Sequence, residues 1–219
     1  MTFATFTPSA SLSTMLRIGS QSEHRNAESS NFMSELLAGR VGRAGYACYL
    51  GMLREVYAAL ELTEAGLRRD PLAAAVIDRD LHRLTALDDD VAFWSRDSPV
   101  QVDSPAVQAY VSRILACGSW GGLFIAHHYT RYLGDLSGGQ AISRILRREF
   151  GLGDQGVAFY EFAAISKRKP YKDAYRARLD ALPLDQAERV RVLTEVKDVF
   201  ALNCGMFVEL SARLPEFQR

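Results

Sequence analysis

The sequence predicts an all-α protein, a helical bundle folded as a single domain over residues 1–219. Apolar side chains recur every three or four residues along most of the chain, which is the period of an amphipathic helix. Only the alternation of Val157, Phe159 and Tyr160 hints at a strand. The chain is 48% hydrophobic and contains no internal repeat or linker-like stretch. A chain of this length and composition can bury one substantial core.

Caps and prolines place the ends of the predicted helices. Gly39 suits a helix C-cap, Asp70 followed by Pro71 stops a helix, and Ser104 followed by Pro105 starts one. After a flexible polar leader over residues 1–10, the predicted helices span residues 12–29, 32–37, 44–69, 105–118, 122–150, 157–165, 170–182 and 185–214. Short helices are predicted over residues 72–103, with an acidic surface formed by Asp88, Asp89 and Asp90.

Charge and cysteine content exclude several classes of protein. The 26 basic and 26 acidic residues balance, so no net field favours nucleic acid or an anionic membrane. Cys48, Cys117 and Cys204 are odd in number and far apart, which indicates reduced thiols and not a disulfide framework or a zinc site. No run is long enough to span a bilayer, and the chain ends without a hydrophobic tail. We therefore expect a cytoplasmic protein without a membrane anchor.

Three glycines interrupt the helix predicted over residues 122–150. Gly134, Gly138 and Gly139 each cost about 1 kcal/mol relative to alanine in a helix interior. A helix that tolerates this cost usually contains a kink or brings its backbone close to something bulky. A tight helix–helix crossing is the plain alternative. Asp135 argues against that alternative, because a carboxylate is hard to place in a dry crossing. The pattern favours a bent helix that aims one acid into a cavity.

The first predicted helix carries His24 and Glu28 on one face, because they are four residues apart. A metal-bound imidazole typically donates its second N–H to a carboxylate or carbonyl, and this pair has that form. A solvated surface pair is the plain alternative. The other histidines have no spacing that marks them as ligands and are interpreted as packing residues; they are His82, His127 and His128.

A basic cluster lies on the helix predicted over residues 170–182 and just before it. Lys172 and Arg176 are four residues apart, with Tyr171 and Tyr175 beside them. Such a cluster is either a solvated helix face or a clamp for the carboxylates or phosphates of a ligand. Nucleic acid is not an expected partner, because this is one cluster in a neutral protein. The full cluster comprises Lys167, Arg168, Lys169, Lys172, Arg176 and Arg178.

Taken together, these segments resemble the haem oxygenase family from about residue 16 to residue 210. Residues 126–140 (AHHYTRYLGDLSGGQ) are similar to the distal-helix signature of that family without a break. Residues 24–28 (HRNAE) and 32–37 (FMSELL) resemble its proximal segment, and residues 171–176 (YKDAYR) resemble the segment that holds the haem propionates. Arg17 stands at a position where related chains can carry lysine, and it keeps the charge. Without a hydrophobic tail, the chain resembles the soluble bacterial members.

The resemblance implies a fold in which haem lies between a proximal helix and a glycine-bent distal helix. It implies cleavage of haem to biliverdin, CO and ferrous iron, with O₂ and electrons from an external reductase or ferredoxin system. Haem b would be bound non-covalently as both cofactor and substrate, consistent with the lack of a Cys-x-x-Cys-His motif. The protein is expected to be a monomer, to cut at the α-meso edge, and to act in iron acquisition or haem degradation.

The resemblance also assigns roles to individual residues. His24 would be the axial ligand of the haem iron, oriented by Glu28. Asp135 would hold a water network that delivers protons to bound oxygen. Residues expected to share in this catalytic network are Gly134, Arg131, Tyr57 and Asn203. Residues expected to contact haem are Arg17, Tyr129, Gly138, Gly139, Lys172, Arg176, Phe200 and Phe207.

Two other classes of function stay open at the level of sequence. A haem carrier or sensor requires the axial ligand and the clamp but no proton-delivering acid, and Asp135 argues against it. Another helical-bundle enzyme, such as a thiamin-degrading relative, requires a catalytic cysteine or paired carboxylates. The cysteines here have no neighbouring base in sequence. Turnover with a reductase distinguishes a haem oxygenase from a haem carrier or sensor. A haem titration distinguishes it from another helical-bundle enzyme.

Overall fold

A computed structural model describes residues 10–96 and 100–217. The described residues form helices and turns without a β-strand, which confirms the predicted all-α class. The predicted leader lies outside the described residues except for Ala10. Among the described residues, no helix is both long enough and apolar enough to cross a membrane.

The N-terminal region contains three short helices where two were predicted: α1 (Leu12–Gly19), α2 (Gln21–Glu28) and α3 (Asn31–Leu37). The break between α1 and α2 lies at Ser20, whose hydroxyl donates to the carbonyl of Leu16 at 2.8 Å. A serine side chain that bonds its own backbone competes with a regular helix, and this was not evident from apolar spacing. Gly39 follows α3 with φ +73, so its predicted role at the helix end is confirmed.

The core forms around α4 (Arg43–Leu67), which packs against α5 (Leu84–Ser95) and α6 (Pro105–Leu115). Ser104 caps α6 by accepting from the N–H of Val107 at 3.0 Å, as predicted. Two 3₁₀ turns, Ala73–Ala75 and Arg79–Leu81, connect α4 to α5.

The predicted acidic surface is wrong for one of its three residues. Asp88 and Asp89 are exposed, whereas Asp90 is 1% exposed. Asp90 accepts from the backbone N–H groups of Ala158 at 3.0 Å and Phe159 at 2.8 Å. These bonds hold Ala158–Tyr160 as a single 3₁₀ turn, and the helix predicted over residues 157–165 does not form.

The long helix predicted over residues 122–150 is divided into three parts. They are α7 (Gly121–His128), a π-helical turn (Tyr129–Leu133) and α8 (Gly134–Phe150). The irregularity therefore lies just before the glycines, which themselves sit in regular α-helix. Thr130 donates its hydroxyl to the carbonyl of Ala126 at 2.8 Å, a side-chain bond that perturbs a helix locally. The π-helical turn is an irregularity that the sequence did not predict, and a bend at the glycines themselves stays a prediction.

The C-terminal region consists of α9 (Arg168–Asp180), α10 (Gln186–Ala212) and α11 (Leu214–Phe217). A capping box between Asp185 and Glu188 starts α10. Helix α10 packs against α1, α2, α3, α6 and α7. Contacts between one C-terminal helix and so many earlier ones support the prediction of one domain.

Candidate active site

Asp135 lies in the first turn of α8 and forms the centre of a buried polar network. Its side chain is 15% exposed. The hydroxyl of Tyr57, from α4, donates to Oδ2 of Asp135 through a short hydrogen bond. The guanidinium of Arg131 lies 3.1 Å from the same oxygen, and Arg131 belongs to the π-helical turn. The carboxylate is therefore held from two directions.

Arg131 extends this network to α10. Its Nη1 donates to Oδ1 of Asn203 at 2.9 Å, and its guanidinium carbon lies 5.5 Å from the centre of the Tyr57 ring. Arg131 and Asn203 are 6% and 7% exposed. The structure thus brings together four of the five residues predicted to be catalytic, from three separate segments of the chain. They are Tyr57, Arg131, Asp135 and Asn203.

The electrostatics of the network suit an acid that exchanges protons. Burial raises the pKa of Asp135, and the charge of Arg131 and the hydrogen bond from Tyr57 oppose that shift. Burial and the neighbouring Asp135 carboxylate raise the pKa of Tyr57 well above its ordinary value. Tyr57 therefore stays protonated and acts as the donor. Asp135 is thus a carboxyl whose pKa is raised and which accepts hydrogen bonds from Tyr57 and Arg131.

The three glycines have different surroundings. A Cβ added at Gly134 or Gly138 would meet no atom within 4 Å, so both border open space. At Gly139 it would lie 2.5 Å from the ring of Tyr160. Gly139 therefore lets Tyr160 pack against α8, and contact of Gly139 with a ligand stays a prediction. Gly134 and Gly138 provide the open backbone surface beside Asp135.

His24 and Glu28 lie on the solvent-exposed face of α2. Nδ1 of His24 is 3.3 Å from Oε2 of Glu28, and the side chains are 52% and 65% exposed. The His24 ring meets the ring of Phe200 edge-on, with 5.7 Å between centroids. With Nδ1 directed at a carboxylate, Nε2 is the ring nitrogen that suits a metal.

The other histidines have structural partners. Nε2 of His127 lies 3.0 Å from Glu195, and Nδ1 of His128 lies 2.8 Å from the hydroxyl of Tyr175. Both rings are fully buried, and burial lowers the pKa of His128 to about 3. Nε2 of His82 lies 2.9 Å from Glu64. Their interpretation as packing histidines agrees with these contacts.

The basic residues converge beside the open surface of α8. Lys172 Nζ donates to the hydroxyl of Ser137 at 3.0 Å, which places α9 next to Gly138. Burial raises the pKa of Tyr129, and the positive charges of Arg176 and Arg17 oppose that shift. The charges of Arg17 and Arg176 therefore act on the same tyrosine. Arg176 also pairs with Asp173 at 3.0 Å.

The two predicted phenylalanines differ in position. Phe200 is partly exposed beside His24. Phe207 is 4% exposed and packs in the core, with its centroid 6.4 Å from that of Phe32 and 6.1 Å from that of Tyr49. Contact of Phe207 with a ligand stays a prediction.

Sequence reasoning missed several residues that support the network. Tyr160 fills the space at Gly139, and Phe159 packs edge-on against Tyr57 with 5.5 Å between centroids. Tyr49 is buried next to Arg131. Burial raises the pKa of Tyr49, and the positive charge of Arg131 opposes that rise. A usable signal existed only for Tyr49, which is eight residues before Tyr57 and so lies on the same face of α4.

The chain matches the family model described as heme oxygenase over residues 10–209. It is 38% identical to heme oxygenase 1 of Synechocystis over 212 residues, covering 94% of this chain and 87% of that protein. It is 37% identical to human heme oxygenase 1 over 209 residues, covering 93% of this chain and 73% of that protein.

Solved structures give the same result. The crystal structure of heme oxygenase-1 from Synechocystis in complex with heme superposes with a TM-score of 0.89 at 37% identity, covering 94% of this chain and 95% of that one. The structure of heme oxygenase from Leptospira interrogans superposes with a TM-score of 0.84 at 35% identity, covering 91% and 100%.

Proposed function

The chain belongs to the haem oxygenase family, and we propose that the site around Asp135 carries out the reaction of that family. The reaction is the oxidative cleavage of haem to biliverdin, CO and ferrous iron, with O₂ and external electrons. The observation that carries the proposal is the buried carboxylate of Asp135, held by Tyr57 and Arg131 beside the open backbone of Gly134 and Gly138.

The residues around this site fit haem b bound without a covalent link. The macrocycle is flat and apolar, and the surface at Gly134 and Gly138 has no side chains that would collide with it. Its two propionates require cations at the edge of the site. Arg17, Lys172 and Arg176 would supply them, together with the hydroxyl of Tyr129.

His24 would ligate the iron through Nε2. Glu28 holds Nδ1 and so favours the tautomer whose Nε2 lone pair is free. His82 has a carboxylate at each ring nitrogen, and His127 and His128 are fully buried, whereas the side chain of His24 is 52% exposed. His24 is therefore the best candidate for the axial ligand.

Bound haem supplies the iron that binds O₂ and the carbon skeleton that is oxidised. The chain supplies protons and the exclusion of bulk water. Asp135 would hold a water molecule and pass protons from its carboxyl oxygen, while Arg131 and Tyr57 keep the carboxylate in position. Asn203 fixes Arg131 from α10. Arg17, Lys172 and Arg176 would select the meso edge that faces Asp135, with the α-meso edge expected.

The remaining features of the proposal concern partners and location. We propose that the protein is a cytoplasmic monomer that receives electrons from a reductase or ferredoxin system. Its biological role would be iron acquisition or haem degradation.

The proposal is tested by incubating the purified protein with haem, O₂ and a ferredoxin–reductase system. We expect stoichiometric biliverdin, identified by chromatography and mass spectrometry, together with CO trapped by a ferrous globin. Haem that remains intact on the protein after many equivalents of reductant would contradict the proposal and favour a haem carrier.

A further inference from the structure

Asp180 joins two helices that are far apart in sequence. Its Oδ1 accepts from the backbone N–H of Ser13 at 2.7 Å, and its Oδ2 accepts from the hydroxyl of Ser13 at 2.9 Å. Asp180 is the last residue of α9, and Ser13 lies in the first turn of α1. Ser11, the N-cap of α1, makes no capping bond with its own side chain. A carboxylate at this position both satisfies an orphan N–H group and suits the helix dipole.

This contact also sets the register between α1 and α9. It joins the N-terminal end of α1 to the C-terminal end of α9. Because the two helices also pack side by side, they run antiparallel. Arg17 lies one helical turn after Ser13, and Arg176 lies one turn before Asp180. Each arginine therefore lies on the same face of its helix as the residue that makes the contact. The antiparallel register brings the two arginines level with each other.

The surroundings of Tyr129 support this placement. Tyr129 precedes the catalytic network on the π-helical turn, and both Arg17 and Arg176 act on its pKa. Two guanidinium groups near one tyrosine repel each other. Arg176 is also paired with Asp173 on its own helix. The bonds between Asp180 and Ser13 hold α1 and α9 together against this repulsion.

We infer that Asp180 is a positioning residue for the substrate: through Ser13 it fixes the spacing between Arg17 and Arg176, and so the seat of the haem carboxylates. This inference rests on the proposed function for the identity of the ligand. Asp180 does not touch haem itself. It acts through the two arginines, and a correctly spaced pair holds two carboxylates in one orientation better than either arginine alone.

The experiment measures haem dissociation from the ferric protein into an excess of a haem-scavenging globin. The variants are Asp180→Ala, Asp180→Asn and Ser13→Ala, with Asp89→Ala as the control. Asp89 is an exposed acid on α5. Its replacement by alanine changes the net charge as much as Asp180→Ala does, without altering the contact between α1 and α9. Each measurement is repeated with haem dimethyl ester, which lacks the carboxylates but keeps the macrocycle and the iron.

We expect Asp180→Ala to accelerate dissociation of haem by about three- to tenfold and to leave the ester unaffected, because only carboxylates sense the arginines. Asp180→Asn and Ser13→Ala should give smaller effects, since each retains one of the two bonds. In reductase turnover, Asp180→Ala should also release biliverdin isomers that the parent does not make.

Two results would overturn the inference. One is equal acceleration for haem and its ester, which would indicate general loosening of the fold. The other is a rate for Asp180→Ala equal to that of Asp89→Ala. If Asp180→Ala does not fold, the ratio of haem to ester rates in Ser13→Ala and Asp180→Asn decides instead. Failure of the parent protein to make biliverdin, with the carboxylate-specific effect intact, would contradict the proposed function and not the role of Asp180.

Discussion

The helices that carry His24 and Asp135 differ in how firmly the rest of the chain holds them. Asp135 is bonded to α4 and to the π-helical turn, which is bonded in turn to α10. Helix α2, by contrast, buries only Ala27. Its attachments to α10 include an ion pair of 3.5 Å between Glu23 and Lys197 and the edge contact of His24 with Phe200.

The difference indicates that the protein alone holds the Asp135 side of the proposed site more firmly than the His24 side. The side proposed to deliver protons is a closed network of buried groups. The side proposed to bind iron rests on exposed pairs, which contribute little to stability by themselves. We expect coordination of iron by His24 to order α2, so that binding energy completes this side of the site.

The prediction with the largest expected effect tests the Asp135 side of the site. Asp135→Ala should still bind haem with an imidazole-type spectrum, because His24 is unchanged. Its rate of biliverdin formation under reductase turnover should fall by about 10²–10⁴-fold, the usual contribution of a positioned proton donor. With hydrogen peroxide it should instead oxidise phenols in the manner of a peroxidase. Asp135→Asn should keep part of the activity, since an amide can still hold a water.

Asp88→Ala is the control for this experiment, because Asp88 is an exposed acid on α5. A rate of biliverdin formation by Asp135→Ala close to that of the parent would remove Asp135 from the mechanism.

The second prediction tests the His24 side of the site. His24→Ala should lose the imidazole-type spectrum of the ferric complex, and free imidazole should restore much of it. Because His24 is half exposed, the free energy of unfolding of the empty protein should change by less than about 0.5 kcal/mol. His127→Ala should do the reverse. This variant should keep the spectrum but lose roughly 1–3 kcal/mol of stability, because it removes the buried hydrogen-bond partner of Glu195.

Denaturant unfolding of both empty variants, together with haem titrations, measures this contrast. If His127→Ala loses the spectrum and His24→Ala keeps it, the axial ligand has been assigned to the wrong histidine.

The third prediction separates two adjacent glycines of α8. Gly138→Ala should stabilise the empty protein by up to about 1 kcal/mol, because alanine favours helix and the added methyl meets open space. The same methyl should weaken haem binding. Gly139→Ala should destabilise the empty protein by about 1–3 kcal/mol, because its methyl collides with Tyr160.

Thermal unfolding of both variants measures the change in stability, and haem titration measures the change in haem affinity. Unchanged haem affinity in Gly138→Ala would mean that the macrocycle does not approach this part of α8.

The fourth prediction concerns the support behind the network. Burial raises the pKa of Asp90 to about 6, and Asp90 holds the turn whose Phe159 packs on Tyr57. Between pH about 4 and 6 the native state binds more protons at this carboxyl than the unfolded chain does. Its contribution to stability is therefore greatest at low pH and is lost as the pH rises to 6. The total change is on the order of 2 kcal/mol.

Urea unfolding of the parent and of Asp90→Asn at pH 4 and 6.5 tests this sign. The stability advantage of the parent should be smaller at pH 6.5. An advantage that grows with pH would mean that Asp90 is ionised throughout this range.

Much of the fold was predictable because it depends on neighbours in sequence. Caps at Gly39 and Ser104 were located correctly, since a cap is a bond between residues a few positions apart. The breaks at Ser20 and at the π-helical turn were missed, although each includes a serine or threonine bonded to the carbonyl four residues earlier. Apolar periodicity does not report such bonds, because they do not alter which face is buried.

By itself, the sequence determined the helical class, the glycine-rich start of α8 and the pairing of His24 with Glu28. Each of these follows from local preference or from spacing on one helix. The tertiary structure decided that Tyr57 and Asn203 meet at Arg131 and Asp135, that Asp90 is buried, that Gly139 accommodates Tyr160, and that Asp180 reaches Ser13. These partners are 21 to 167 residues apart. Hydrogen bonds and packing act over a few ångströms, so only the folded chain determines which distant residues come within that range.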